Sequence, residues 1–278
     1  MKTNAVIRIV LYSVVILLLT GILLTVLGVG QLRFDLGGST GEYITGDGAV
    51  DASGIRNISI EWVSGDIQVR TAADDSQQIR FHESGNAGED LRMVWEQKGD
   101  TLIIKYSKPR LNIGFISTPS KTLQVDLPAD WNCDSFEIVT VSGKVGVQDL
   151  KAEEIELESV SAACTLECTA KEVSVTTVSG EVEFVGQVQE LECESVSGDC
   201  SIRLLDTSAR KITMESVSAD LTVILPESLG FTANLDSTSG DLFSDLPTNT
   251  HNGKQVYGDG SCQIHAETVS GDVNINKQ

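Results

Sequence analysis

Positive charge is scarce in this chain: 20 Lys and Arg stand against 40 Asp and Glu, for a formal net charge of −20. That balance argues against a nucleic-acid partner, whose phosphates attract basic surfaces, and against a domain lying flat on anionic lipid. It favours a soluble, self-repelling exterior. Histidine is nearly missing, with His82, His251 and His265 the only three, which limits imidazole catalysis and metal binding. His251 and His265 lie close in sequence but lack the Cys or carboxylate spacing of a zinc site. No D-x-D-x-D-G calcium loop occurs, and no helix-like stretch falls inside the repeats that fill most of the chain.

What is present is repetition. The phrase Val-Ser-Gly-Asp-apolar, with small variations, recurs eight times, beginning at Val63-Ser64-Gly65-Asp66-Ile67. Its corner residues are Ser142-Gly143, Ser161-Ala162, Ser179-Gly180, Ser197-Gly198, Ser218-Ala219, Ser239-Gly240 and Ser270-Gly271. From Ser142 the serine-to-serine steps are 19, 18, 18, 21, 21 and 31 residues. A period near twenty without helices marks a stacked β architecture.

With each motif serine as position zero, −6 and −4 are apolar (Ile155 and Leu157, Val173 and Val175, Ile212 and Met214) and −5 and −3 mostly polar. Positions +3 and +5 are apolar again, as in Val182 and Phe184 or Leu221 and Val223. Each repeat therefore reads as strand, corner, strand. A hairpin array would send the −1 valine to solvent. A parallel β-solenoid would turn the chain at Ser-Gly and bring that valine into the core. The near-invariant valine favours the solenoid, with Val178, Val196 and Val217 in one interior column and hydroxyl ladders along the corner.

Before the repeats, residues 9–30 carry no charge, and as a helix they would span about 33 Å, enough for a hydrocarbon core of about 30 Å. Lys2 and Arg8 precede them, which places residues 1–8 in the cytoplasm and the remainder outside. A cleaved signal peptide is the competing reading, because Gly28-Val29-Gly30 is a small-x-small site. No cysteine follows the run, which argues against a lipoprotein anchor. Residues 31–55 read as a tether and 56–278 as the extracytoplasmic domain, with hairpins inserted at about 76–132 and a protruding loop at 245–261. The final motif, ending at Val273–Gln278, reads as an exposed terminal coil.

Of the six cysteines, Cys133, Cys164, Cys168, Cys193, Cys200 and Cys262, three occupy repeat positions otherwise held by aliphatics: Cys164 and Cys200 at +3, Cys193 at −4. Cys164 and Cys200 would lie two coils apart, beyond disulfide reach, so the thiols are expected to be free and buried. Trp62, Trp95 and Trp131 are expected to fill the core or cap the first coils, with carbohydrate stacking as the alternative. The strongest chemical candidates are acidic: Glu181, Asp199, Asp220 and Asp241 at +2, and Glu194, Glu215 and Asp236 at −3. Stacked in register they would hold weak Ca²⁺ or Mg²⁺ or cationic peptides, or form a solvated face that blocks sheet pairing. The serines are too repetitive to be nucleophiles and are structural corners.

The N-terminal apolar run, the Leu123-x-Val125-x-Leu127-Pro128 strand and the serial repeats together resemble the bacterial "putative adhesin" domain-of-unknown-function family, which includes LiaG-like envelope proteins. The resemblance covers roughly residues 56–278. It implies an all-β solenoid of the cell envelope, tied to surface or envelope-stress roles, and it supplies no catalytic residues and no cofactor. The expected function is a membrane-anchored, non-enzymatic scaffold that binds an envelope protein or surface ligand, with oligomeric state open. The alternative is a polysaccharide-active enzyme, which would need paired carboxylates in a groove beside an arginine.

Overall fold

The computed structural model describes residues 43–72, 76–86, 88–108 and 119–278. The expected membrane segment at 9–30, its flanking tail and tether residues 31–42 lie outside the described residues. Among those described, no helix is long and apolar enough to cross a membrane. The domain is all-β.

The strands follow the chain as β1 (Ile44–Thr45), β2 (Gly48–Asp51), β3 (Asn57–Ser64), β4 (Ile67–Thr71), β5 (Gln78–Ser84), β6 (Val94–Lys98) and β7 (Thr101–Lys105). Then come β8 (Thr122–Leu127), β9 (Cys133–Ser142), β10 (Lys144–Ser159), β11 (Ala163–Thr177), β12 (Val182–Ser195), β13 (Cys200–Leu204) and β14 (Lys211–Ser216). The last are β15 (Leu221–Leu225), β16 (Phe231–Ser237), β17 (Leu242–Ser244), β18 (Asn249–His251), β19 (Lys254–Tyr257), β20 (Cys262–Thr268) and β21 (Val273–Lys277).

From β10 to β12 successive repeats pair in parallel, in one register apart from a shift between Val147 and Leu150. Val173 sits beside Ile155 and Leu191, and Cys164 beside Val145 and Val182. Two walls result. In one, β9, the second halves of β10, β11 and β12, then β14, β20 and β16 lie side by side. In the other, β4, the first halves of β10, β11 and β12, then β13, β15, β21 and β17 do the same. Inside the stack the −4 residues Ile138, Leu157, Val175, Cys193, Met214 and Ala266 are at most 1% exposed and the +3 residues Val145, Cys164, Val182, Cys200, Leu221 and Val273 at most 2%, whereas Leu235 and Leu242 of the coil at 231–244 are only partly buried.

Burial within the motif departs from the expectation. Val178, Val196 and Val217 are half-buried, while the −2 hydroxyl residues Thr140, Ser159, Thr177, Ser195, Ser216 and Thr268 are buried. Strand alternation simply continues to the corner, so −2 follows −4 inward and −1 stays at the margin. Apart from Thr140, whose Oγ1 has no partner among the described residues, the buried hydroxyls bond within the corner or across coils: Ser195 Oγ donates to the Gly198 carbonyl at 2.6 Å and accepts from the Gly198 N–H at 2.9 Å. Ser159 and Thr177 hydroxyls meet across coils at 3.1 Å.

Stack order is not chain order. The C-terminal strands β20 and β21 slot between the coil of β14 and β15 and the coil of β16 and β17. The terminal coil is therefore 231–244, rather than the final motif. Residues 245–261 close part of it: β18 and β19 form a hairpin, β19 pairs antiparallel with Phe231–Ala233, and Leu246 is buried. Gln255 Nε2 also donates to the Leu242 carbonyl at 3.2 Å.

At the other end, part of the expected tether is structured, since β1 pairs with β6 and β2 with β5. Within the 76–132 region, β7 and β8 lie parallel to β3 and β4 as a further coil, and β5 and β6 fold antiparallel onto them. Trp62 is buried edge-on to Tyr106, and Trp95 packs on Phe81. Between these layers Lys121 is buried with its Nζ 2.6 Å from Glu83 Oε2 and 3.7 Å from the Tyr106 ring centre. Such a pair pins the end layers together because breaking it would strand a buried charge.

The cysteine expectation needs correction. Cys193 and Cys200 are disulfide-paired, with Cα atoms 7.2 Å apart, bridging the −4 column of one wall and the +3 column of the other. Comparing Cys164 with Cys200 along one column overlooked this approach across the core, within one corner. Cys133, Cys164, Cys168 and Cys262 are free and buried.

Candidate functional site

The corner motif itself is taken up by coil-to-coil bonding. Ser161, Ser179, Ser197, Ser218 and Ser239 donate their hydroxyls to the −1 carbonyl of the neighbouring coil, at 3.1–3.4 Å. At +1 the backbone of one coil lies against the next, so a Cβ on Gly198 would collide with the Gly180 carbonyl oxygen. Gly143 and Gly271 additionally hold φ of 129° and 158°.

The +2 acids form a ladder. Asp199 Oδ1 accepts from the Asp220 N–H at 3.0 Å, Asp220 Oδ1 from the Asp272 N–H at 2.9 Å, and Asp272 Oδ1 from the Asp241 N–H at 3.0 Å. Asp66 does the same for Lys144 N–H at 3.1 Å. Three of the four +2 candidates, Asp199, Asp220 and Asp241, are thus brought together with Asp272 between the last two. Glu181, the fourth, is exposed at the preceding corner.

The outward face of the wall ending at β16 is more distinctive. Along its −3 row, Glu158, Thr176, Glu194, Glu215, Glu267 and Asp236 are neighbours in that order. Its −5 row runs Glu156, Ser174, Glu192, Thr213, His265 and Asn234. Neighbours in such rows lie about 4.8 Å apart, so adjacent carboxylates repel. Burial, then Glu215 and Glu192, push the Glu194 carboxyl up to about 7. Glu215 is raised by burial and by Glu267 and Glu192, and eased by His265. These carboxyls line an outward sheet face; they do not converge across a groove.

At the end of this face the strand order assembles a set that the sequence reading did not. Asp236, His265 and Glu267 each place one donor atom within 4.8 Å of the others. His265 Nε2 is 3.0 Å from Glu267 Oε1, and its Nδ1 is 3.4 Å from the Asn234 amide. Of these three, the sequence pattern singled out Asp236 at −3; counted from Ser270, Glu267 also falls at −3 and His265 at −5. What the sequence did not show was that the final motif inserts next to the coil of Asp236. His251, by contrast, lies apart on the β18 hairpin.

With this geometry in view, the family model described as Toastrack DUF4097 matches residues 55–208 and again 170–276. The chain belongs to this family. Among solved structures, the Toastrack chain is similar to a "putative adhesin" from Bacteroides fragilis, at 13% identity and TM-score 0.43, covering 86% of this chain and 98% of that one. A "putative cell adhesion protein" from Clostridium sporogenes matches at 14% identity and TM-score 0.35, covering 85% and 100%. A "putative lipid binding protein" from Parabacteroides distasonis matches at 16% identity and TM-score 0.37, covering 86% and 98%. No curated protein matches.

Proposed function

We propose that this Toastrack chain is a non-catalytic β-solenoid scaffold of the bacterial envelope, anchored by residues 9–30 and presenting its domain outside the membrane. Its acidic wall receives a cationic segment of an envelope or surface partner. The observation that supports this reading is the division of labour among the carboxylates. At +2 the carboxylates of Asp66, Asp199, Asp220 and Asp272 are bonded to the stack, while Glu192, Glu194, Glu215 and Glu267 sit in rows on one outward face. A rigid lattice of like charges is suited to binding an extended cation-rich surface and unsuited to acid–base chemistry, which needs two carboxyls facing across a substrate.

The test is site-directed photocrosslinking in intact cells of the full chain, with the probe at Glu192 on the acidic face or at Thr222 on the opposite wall. The expected result is a discrete adduct from the first position only, in the membrane fraction, with the domain cleaved by external protease. A protease-protected domain, or equal labelling from both walls, would overturn the proposal. So would turnover of an envelope polysaccharide by the purified chain.

A further inference from the structure

We propose that Asp236, His265 and Glu267 form a binding site for one first-row divalent transition metal, of the Zn²⁺ class, that clamps the terminal coil to its neighbour. The site goes beyond the scaffold reading and does not depend on it. Its distinguishing member is a nitrogen donor. Carboxylates alone would suit Ca²⁺ or Mg²⁺, whereas imidazole with two carboxylates selects Zn²⁺ and its neighbours in the first transition row.

The donor geometry fits such an ion. Bonds of about 2.0–2.1 Å at tetrahedral or octahedral angles put adjacent donors about 2.9–3.4 Å apart. His265 Nε2 and Glu267 Oε1 are already 3.0 Å apart. The Asp236 carboxylate, on the adjacent strand and within 4.8 Å of both, closes the third position by side-chain rotation. Asn234 Nδ2 lies 3.4 Å from both His265 Nδ1 and Asp236 Oδ2; turning this amide over as the metal binds would let its oxygen accept the Nδ1–H and leave the Nε2 lone pair free. His265 and Glu267 are half-buried and Asp236 exposed, which leaves room for water at the remaining positions. The ligands come from β16 and β20, so an occupied site would fasten the outermost coil, where Leu235 and Leu242 are less well covered than their counterparts inside the stack.

The experiment titrates ZnCl₂ into the purified full chain by competition with a chromophoric indicator, alongside His265→Ala, Glu267→Gln and the acidic-face control Glu192→Gln. One ion per chain is expected, with affinity about tenfold or more weaker in the first two variants and unchanged in the control. X-ray absorption of the zinc-loaded wild type should show one imidazole nitrogen among oxygen ligands, a readout that holds even where a variant fails to fold. Absence of saturable binding at about 100 µM zinc would overturn the assignment. Equal weakening by Glu192→Gln, or a zinc shell of oxygens alone, would also overturn it, because either means diffuse attraction to the acidic face.

Discussion

Asp199 Oδ1 accepts the backbone N–H of Asp220, one coil further along the stack, at 3.0 Å. The same bond from Asp220 to Asp272, and from Asp272 to Asp241, makes the acid of the repeat a structural part of the corner. Asp220→Ala should therefore cost about 1–2 kcal/mol, in the range for a hydrogen bond to a charged acceptor at an exposed site. Asp220→Asn, which keeps an acceptor, should recover much of it. Urea unfolding of the two variants checks this, and equal losses would mean that charge, not the bond, matters.

The corner also reverses one expectation about the valines. Val196→Asp places a carboxylate at a half-buried margin, where water reaches it, and should cost about 1 kcal/mol or less. Ser195→Val should cost more, about 2 kcal/mol, because it leaves the Gly198 N–H and carbonyl without their partner inside the core. Thermal melts of the two variants should rank them in that order.

How much of this was legible follows from which forces are local. Strand, corner and strand could be read because alternation at −6, −4, +3 and +5 is set by burial within a single repeat, and Leu157 or Val182 declares its face by its own side chain. The hydroxyl at −2 misled because Ser and Thr pass for surface residues until their corner partners are known; Ser195 is buried only because Gly198 satisfies it. The pairing of Cys193 with Cys200 was missed for a different reason. Column logic measures distances along the stack, and the bond crosses it. Least legible was the set of Asp236, His265 and Glu267, since it depends on which coil the C-terminal strands choose as neighbours, a choice made by edge pairing and not by local pattern.

The cysteines supply the next test. Burial pushes the thiols of Cys133, Cys164, Cys168 and Cys262 up to about 12, so they are protonated and shielded at neutral pH. Iodoacetamide should leave the native chain unmodified, label these four in denaturant, and label all six only after reduction. Opening the bond between Cys193 and Cys200 should cost about 2–3 kcal/mol by loop entropy, lowering the melting temperature by several degrees. Six labels in denaturant without reductant would rule the pairing out.

Stability should also respond to pH through Glu194. Its carboxyl titrates near the usual 4.5 when unfolded and at about 7 when folded, because burial and the neighbouring Glu215 and Glu192 oppose its charge. The folded state then holds the proton more tightly, so this contribution is fully present below about 4.5 and is lost as pH rises through 7. Glu194→Gln should melt above wild type at pH 8 and converge with it near pH 5. A constant difference across that range would assign the effect to packing instead of protonation.

Removing the hairpin tests whether the end of the stack is held closed. Residues 247–259 contribute β18 and β19, whose pairing covers Phe231–Ala233 and whose Gln255 side chain occupies the Leu242 carbonyl. Their deletion would bare the β16 edge, and Phe231 would lose Tyr257, whose ring centre lies 5.7 Å away. A parallel wall ending in an open strand is a template for a further strand, and only charge then opposes pairing. Here Asp236 and Asp241 stand at that end within a chain of net charge −20. Repulsion of this kind is screened within about 3 Å at 1 M salt. The deletion variant should therefore stay monomeric at low ionic strength and form larger species at high salt in light scattering, while the intact chain does not. A variant that remains monomeric in both conditions would show that the hairpin is not what keeps the terminal coil from pairing.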